Sequence, residues 1–139
     1  MKVLQLNTCS GVKSTGRIAA DLARMLLSRG DECLIAYGEE PIAADCRAFS
    51  FPVCGPVERK AYSQLRKLFD AEGLGGQLGT RRLIQRMADE RPDVVHLHNV
   101  HGCYLDLRQL FGYLKRANLP VIWTLHDCWA FTGHCAYFT

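Results

Sequence analysis

The chain has 139 residues, 48% of them hydrophobic and 22% charged, with a formal net charge of +3. That length suits one ordinary core, and so mild a charge calls for no nucleic acid, although it permits an anionic ligand or a phospholipid surface. No run of about 18 apolar residues would span a membrane, and the opening MKVLQL turns polar too early for a secretory signal, so a cytoplasmic location is the default expectation.

Lys2–Asn7 is apolar enough for a buried first strand, and the turn-rich Thr8–Thr15 comes after it. Gly16–Arg29 reads as a helix with Ile18, Leu22, Met25 and Leu26 on its apolar face. Ser14 or Thr15 is expected to cap that helix and Gly30 to stop it. Glu32–Tyr37 is a second strand, and Arg47–Val53 a short third limited by Pro52. Cys33 reads as apolar filler, and an odd number of scattered cysteines argues against a disulfide framework. Val57–Phe69 looks helical, Gly73–Gly76 breaks the pattern, and Thr80–Glu90 restarts it until Pro92. Asp93–Leu97, Leu105–Ala117 and Pro120–Leu125 then read as strand, helix and strand. This alternation predicts an α/β fold, a parallel sheet built from βαβ units with helices on both faces.

Four of the five histidines lie at the ends of the last two strand-like runs, where open α/β sheets bind their ligands. His96 lies inside a run, and its side chain is expected to alternate with that of His98. One of the two then faces a helix layer; His96 is taken as the packed one, and His98 with Asn99 as reaching a ligand. His101 and Gly102 fit either this edge or the start of the next helix. His126-Asp127 is the sharpest pair. Consecutive residues leaving a strand diverge, so His126 is expected to donate to a substrate hydroxyl while Asp127 fixes the turn or caps the next segment. Trp129, Phe131, Thr132 and Gly133 are expected to form the floor of a sugar-sized pocket, unless Trp129 and Phe131 are plugs in the core.

Gly11–Gly16 looks like a phosphate loop, but no glycine directly precedes Lys13 and the loop is too short for a nucleoside triphosphate site. A helix start still offers unpaired N–H groups, so a sugar or phosphate fits at Ser14, Thr15 and Gly16; an ordinary βα turn is the plainer alternative. His126, Cys128, His134 and Cys135 make a candidate soft-metal cluster without standard zinc spacing, and no metal is assigned. Arg59-Lys60, Arg66-Lys67 and Arg81-Arg82, with Tyr62, Leu65 and Phe69, form either a solvated face or a cationic surface for peripheral contact with the inner face of the plasma membrane.

The segments STGRI (14–18), LFDAEGLG (68–75), PDVVHLHN (92–99) and TLHDCWAFTGHC (124–135) resemble the N-terminal domain of family 4 glycosyltransferases of GT-B architecture. The resemblance runs over essentially the whole chain, within the branch for capsular, exopolysaccharide or colanic-acid synthesis. It implies two Rossmann-like domains facing a cleft, retention of anomeric configuration, and no metal or cofactor beyond a nucleotide-sugar donor as co-substrate. The N-terminal domain would hold a sugar or lipid-linked glycan acceptor. A C-terminal domain with paired glutamates, absent from these residues, would hold the donor. Residues 1–139 are therefore expected to be a single, truncated acceptor-side domain, inactive alone. By position, His126 matches the histidine at the sugar end of the donor, and Ser14–Gly16 match the loop near its phosphates. Two other readings stay open: a non-catalytic sugar- or membrane-binding module, and a metal-dependent hydrolase using His98, His126 and Cys135.

Overall fold

Five parallel strands form one sheet in the computed structural model, which describes residues 1–69 and 73–132, residues 65–69 by their backbone alone. They are β1 (Lys2–Asn7), β2 (Glu32–Tyr37), β3 (Ser50–Pro52), β4 (Val94–Leu97) and β5 (Val121–Trp123). The helices are α1 (Lys13–Ser28), α2 (Pro56–Phe69), α3 (Gln77–Glu90), α4 (Leu107–Arg116) and the short α5 (Trp129–Thr132). The strand order is β3-β2-β1-β4-β5. The chain moves outward from β1 to β3, then crosses back to place β4 on the other side of β1. This is a Rossmann-like sheet whose order reverses between β1 and β4, where such sheets bind ligands.

Strand alternation divides the core in two. Val3, Cys33 and Ile35 pack against Ala19 and Ala23 of α1. Leu4, Leu6, Val95 and Leu97 pack with Leu83 and Met87 of α3 and Leu110 and Leu114 of α4. Helices therefore cover both faces, as the alternation of elements predicts. The buried face of α1 differs from the expected one: Gly16, Ala19, Ala20 and Ala23 are buried, whereas Ile18 and Met25 are exposed. Small residues let the helix approach the sheet closely, and the larger apolar side chains flank that contact.

The start of α1 differs too. Val12 occupies the N-cap without a side-chain bond, so Ser14 and Thr15 lie within the first turn instead of capping it. At the other end Gly30 N–H donates to Leu27 O and Asp31 N–H to Leu26 O, the paired bonds of a glycine-terminated helix. A 3-10 turn over Ala44–Phe49 takes up the front of the expected third strand. Helix α4 begins at Leu107 because Asp106 caps it: its carboxylate accepts from Gln109 N–H and from Gln109 Nε2, both at 3.0 Å. No described helix is long and apolar enough to cross a membrane.

Candidate functional site

All five strands run the same way, so the segments after β1, β2, β4 and β5 gather at one edge of the sheet. Asn7, buried at the end of β1, ties two of them together. Its Nδ2 donates to Cys9 O at 2.9 Å, and its Oδ1 accepts from Asn99 N–H at 3.3 Å. Ser14 is exposed and Thr15 partly so at the start of α1. Gly16 is buried, and a Cβ there would stand 2.9 Å from Cys9 Sγ. Its lack of a side chain lets the helix pack closely against the first loop.

His96, His98 and His126 form a row across the α1 face of the sheet. Residues two apart on a strand share a face, so the expected alternation of His96 with His98 is corrected: both rings lie together, their centroids 4.1 Å apart. Ring nitrogen Nε2 of His96 meets Thr124 Oγ1 at 2.8 Å. His98 is 1% exposed. Its Nε2 lies 2.8 Å from Gln5 Oε1 and its Nδ1 lies 2.9 Å from His126 Nε2. With both ring nitrogens bonded inside the protein, His98 supports His126 from behind instead of reaching a ligand. Burial first, and then the neighbouring His96 and His126, push its pKa down to about 3. Burial and then His126 lower that of His96. His126 is the partly exposed end of the row.

Asp127 turns away from His126, as the divergence of consecutive side chains implies. Its Oδ1 accepts from Trp129 N–H, fixing the turn into α5, and its Oδ2 lies 3.0 Å from Nε2 of His101. His101 thus belongs to the site edge and not to the start of α4. Trp129 packs against the core, with its ring 5.8 Å from that of His101, whereas Phe131 is 61% exposed. The crevice between His126, Trp129 and Asn99 holds about 10 Å³, room for one water at most. The described residues therefore do not close a sugar-sized pocket there. Thr132 is exposed at the end of α5. Gly133, His134 and Cys135 lie outside the described residues, and among the described residues no three His, Cys, Asp or Glu side chains converge as a metal site.

A roomier cleft of about 680 Å³ opens at the same edge, between the segment after β2, the start of α2 and the segment after β4. Glu39, Glu40, Arg59, Lys60, His101 and Tyr104 line it. Its walls are locked: Tyr104 OH donates to Asn99 O at 2.7 Å and Arg59 Nη1 to Gly38 O at 2.9 Å. A Cβ on Gly38 would stand 2.4 Å from the Tyr104 ring. The sequence does not reveal this cleft because its residues come from three distant segments; it singles out Arg59-Lys60 only as part of a basic face, and His101 and Gly102 only as candidates for the sheet edge. Arg82, from that same expected face, pairs with Glu58 at 2.8 Å and joins α3 to α2. The side chains of Arg66 and Lys67 lie outside the described residues.

A Rossmann-like sheet with a buried polar row and an open cleft at its switch point defines a ligand-handling α/β domain. The model for Glycosyltransferase Family 4 matches residues 15–138, and the chain belongs to that family. It is 26% identical over 147 aligned residues to the putative colanic acid biosynthesis glycosyl transferase WcaC of Escherichia coli K12, covering 99% of this chain and 36% of that protein. The chain thus spans about a third of its relative's length. No solved structure matches it.

Proposed function

We propose that the chain is the acceptor-side domain of a retaining glycosyltransferase, which moves a sugar in the cytoplasm from a nucleotide-sugar donor to a glycan or lipid-linked acceptor during surface-polysaccharide synthesis. The donor-binding half would be supplied by sequence outside these 139 residues. Membership of the family supports the reaction class, and the observation that carries the site is His126, the partly exposed end of a buried polar row beside the β1/β4 switch point.

In this reading His126 meets the transferred sugar or its departing diphosphate. The bond from the anomeric carbon to the diphosphate breaks, and oxocarbenium-like charge develops on the sugar, as in other glycosyl transfers. The acceptor oxygen bonds that carbon on the face the diphosphate leaves, and its proton passes to the departing phosphate oxygen. A fixed polar contact that strengthens as this charge separates lowers the barrier. The open N–H groups at Ser14 and Thr15 suit a phosphate, and the 680 Å³ cleft suits the acceptor.

The test uses the intact protein that carries this domain, incubated with nucleotide-sugar donors and lipid-linked glycan acceptors. The acceptor should gain the mass of one sugar as nucleoside diphosphate is released, with the donor's anomeric configuration kept. Release of free sugar at a rate indifferent to the acceptor would overturn the proposal in favour of a hydrolase.

A further inference from the structure

We infer that Gln5 and His98 are positioning residues that hold His126 in a single tautomer, hydrogen on Nε2, and so leave Nδ1 as a hydrogen-bond acceptor for a ligand hydroxyl. What His126 touches rests on the proposed glycosyl transfer; the tautomer itself does not.

A main-chain atom whose role cannot change anchors the row. Ala19 O only accepts, and Gln5 Nε2 lies 3.0 Å from it, with its second hydrogen directed at Cys33 Sγ 3.2 Å away. Turning the amide over would set oxygen against oxygen in a site that is 0% exposed, where an unsatisfied polar group is costly. Gln5 Oε1 must therefore face His98 Nε2, 2.8 Å away. That oxygen is an acceptor only, so Nε2 of His98 carries the hydrogen. A neutral His98 then has a bare Nδ1, and the hydrogen in its 2.9 Å contact with His126 must sit on His126 Nε2.

The opposite arrangement needs His98 charged, with hydrogens on both nitrogens. Burial and the adjacent imidazoles of His96 and His126 oppose that charge. The carbonyl of His98 is held as well, accepting from Trp123 Nε1 at 3.0 Å, so the backbone of the relay is fixed along with its ring. A neutral His126 thus accepts from a sugar hydroxyl, where a reading of the sequence expects it to donate. It becomes a donor at Nδ1, toward a phosphate oxygen, only after taking a proton from solvent.

A buried partner sets the tautomer of a catalytic histidine in hydrolases in a similar way, but here the partner is a neutral histidine backed by an amide. A neutral partner leaves the imidazole free to accept without pre-charging it. That suits contact with a hydroxyl.

Long-range proton–nitrogen NMR of the intact protein, labelled in its histidines and held well above the ordinary histidine pKa, reads the tautomers without substrate. Both His98 and His126 should show the Nε2–H form. A predominant Nδ1–H form at His126, or a charged His98, would overturn the inference without a variant having to fold. In Gln5→Leu the His126 signal should move toward a mixture of tautomers, and kcat for sugar transfer should fall about tenfold to a hundredfold, the range seen when an outer partner orienting a histidine is lost, with KM for the acceptor unchanged. An unaltered His126 signal together with unaltered kcat would overturn it as well. Full transfer by His126→Ala would remove the reaction from this residue, and with it the positioning role, whatever the spectrum shows.

Discussion

A second proton on His98 would have to sit in a site 1% exposed, beside the rings of His96 and His126. Its pKa therefore lies near 3 in the fold against an ordinary 6.5. Between these values the unfolded chain binds a proton that the folded chain refuses, so stability rises with pH across the window and is lost as pH falls from 6.5 toward 3. One such group contributes a slope of up to about 1.4 kcal/mol per pH unit. His96, whose pKa is also lowered, adds a slope of the same sign. Urea unfolding of the wild type and of His98→Gln, at several pH values through the window, should show a shallower slope for the variant. Equal slopes would place the proton uptake elsewhere.

Where an element's signal is local, the amino-acid sequence reads correctly. β1 and β2 are largely apolar segments with clear punctuation after them, and their bounds agree with the structure. The buried face of α1 is a different matter. Alanines carry little weight in a hydrophobic pattern, so Ile18 and Met25 draw attention while Ala19, Ala20 and Ala23 make the contact. Asp106 escaped notice as a cap because Leu105 already continues the apolar pattern. Its carboxylate satisfies an α4 donor, its own N–H donates to Thr80 Oγ1 at 2.8 Å, and it is only 5% exposed. Asp106→Ala should therefore cost about 1–2 kcal/mol in urea unfolding, the upper part of the range for lost N-caps, while Asp106→Asn should cost less. Equal losses would show that the cap bond is not what stabilises α4.

Alternating strands and helices foretell a parallel sheet, but not the order β3-β2-β1-β4-β5. That order creates the switch point, and with it a site assembled from segments far apart in sequence. Gln5 and His98 are 93 residues apart. Nothing around Gln5 in an otherwise apolar strand announces its partner; only the pairing of β1 with β4, which sets Gln5 beside His96, makes sense of it. His126 could be singled out because it lies just past an apolar run at the sheet edge, whereas the cleft formed by α2 and the segments after β2 and β4 exists only once those elements are packed. At the outer edge, Val121, Ile122 and Leu125 on and after β5 are exposed, and among the described residues β5 pairs with β4 alone.

The proposed transfer places His126 at the transferred sugar. It is tested by initial rates of sugar transfer by the intact protein, wild type against His126→Ala at matched folded concentration. A fall in kcat of about a hundredfold is expected, the size of one lost transition-state contact, with KM for the acceptor little changed. Undiminished kcat in His126→Ala would contradict it.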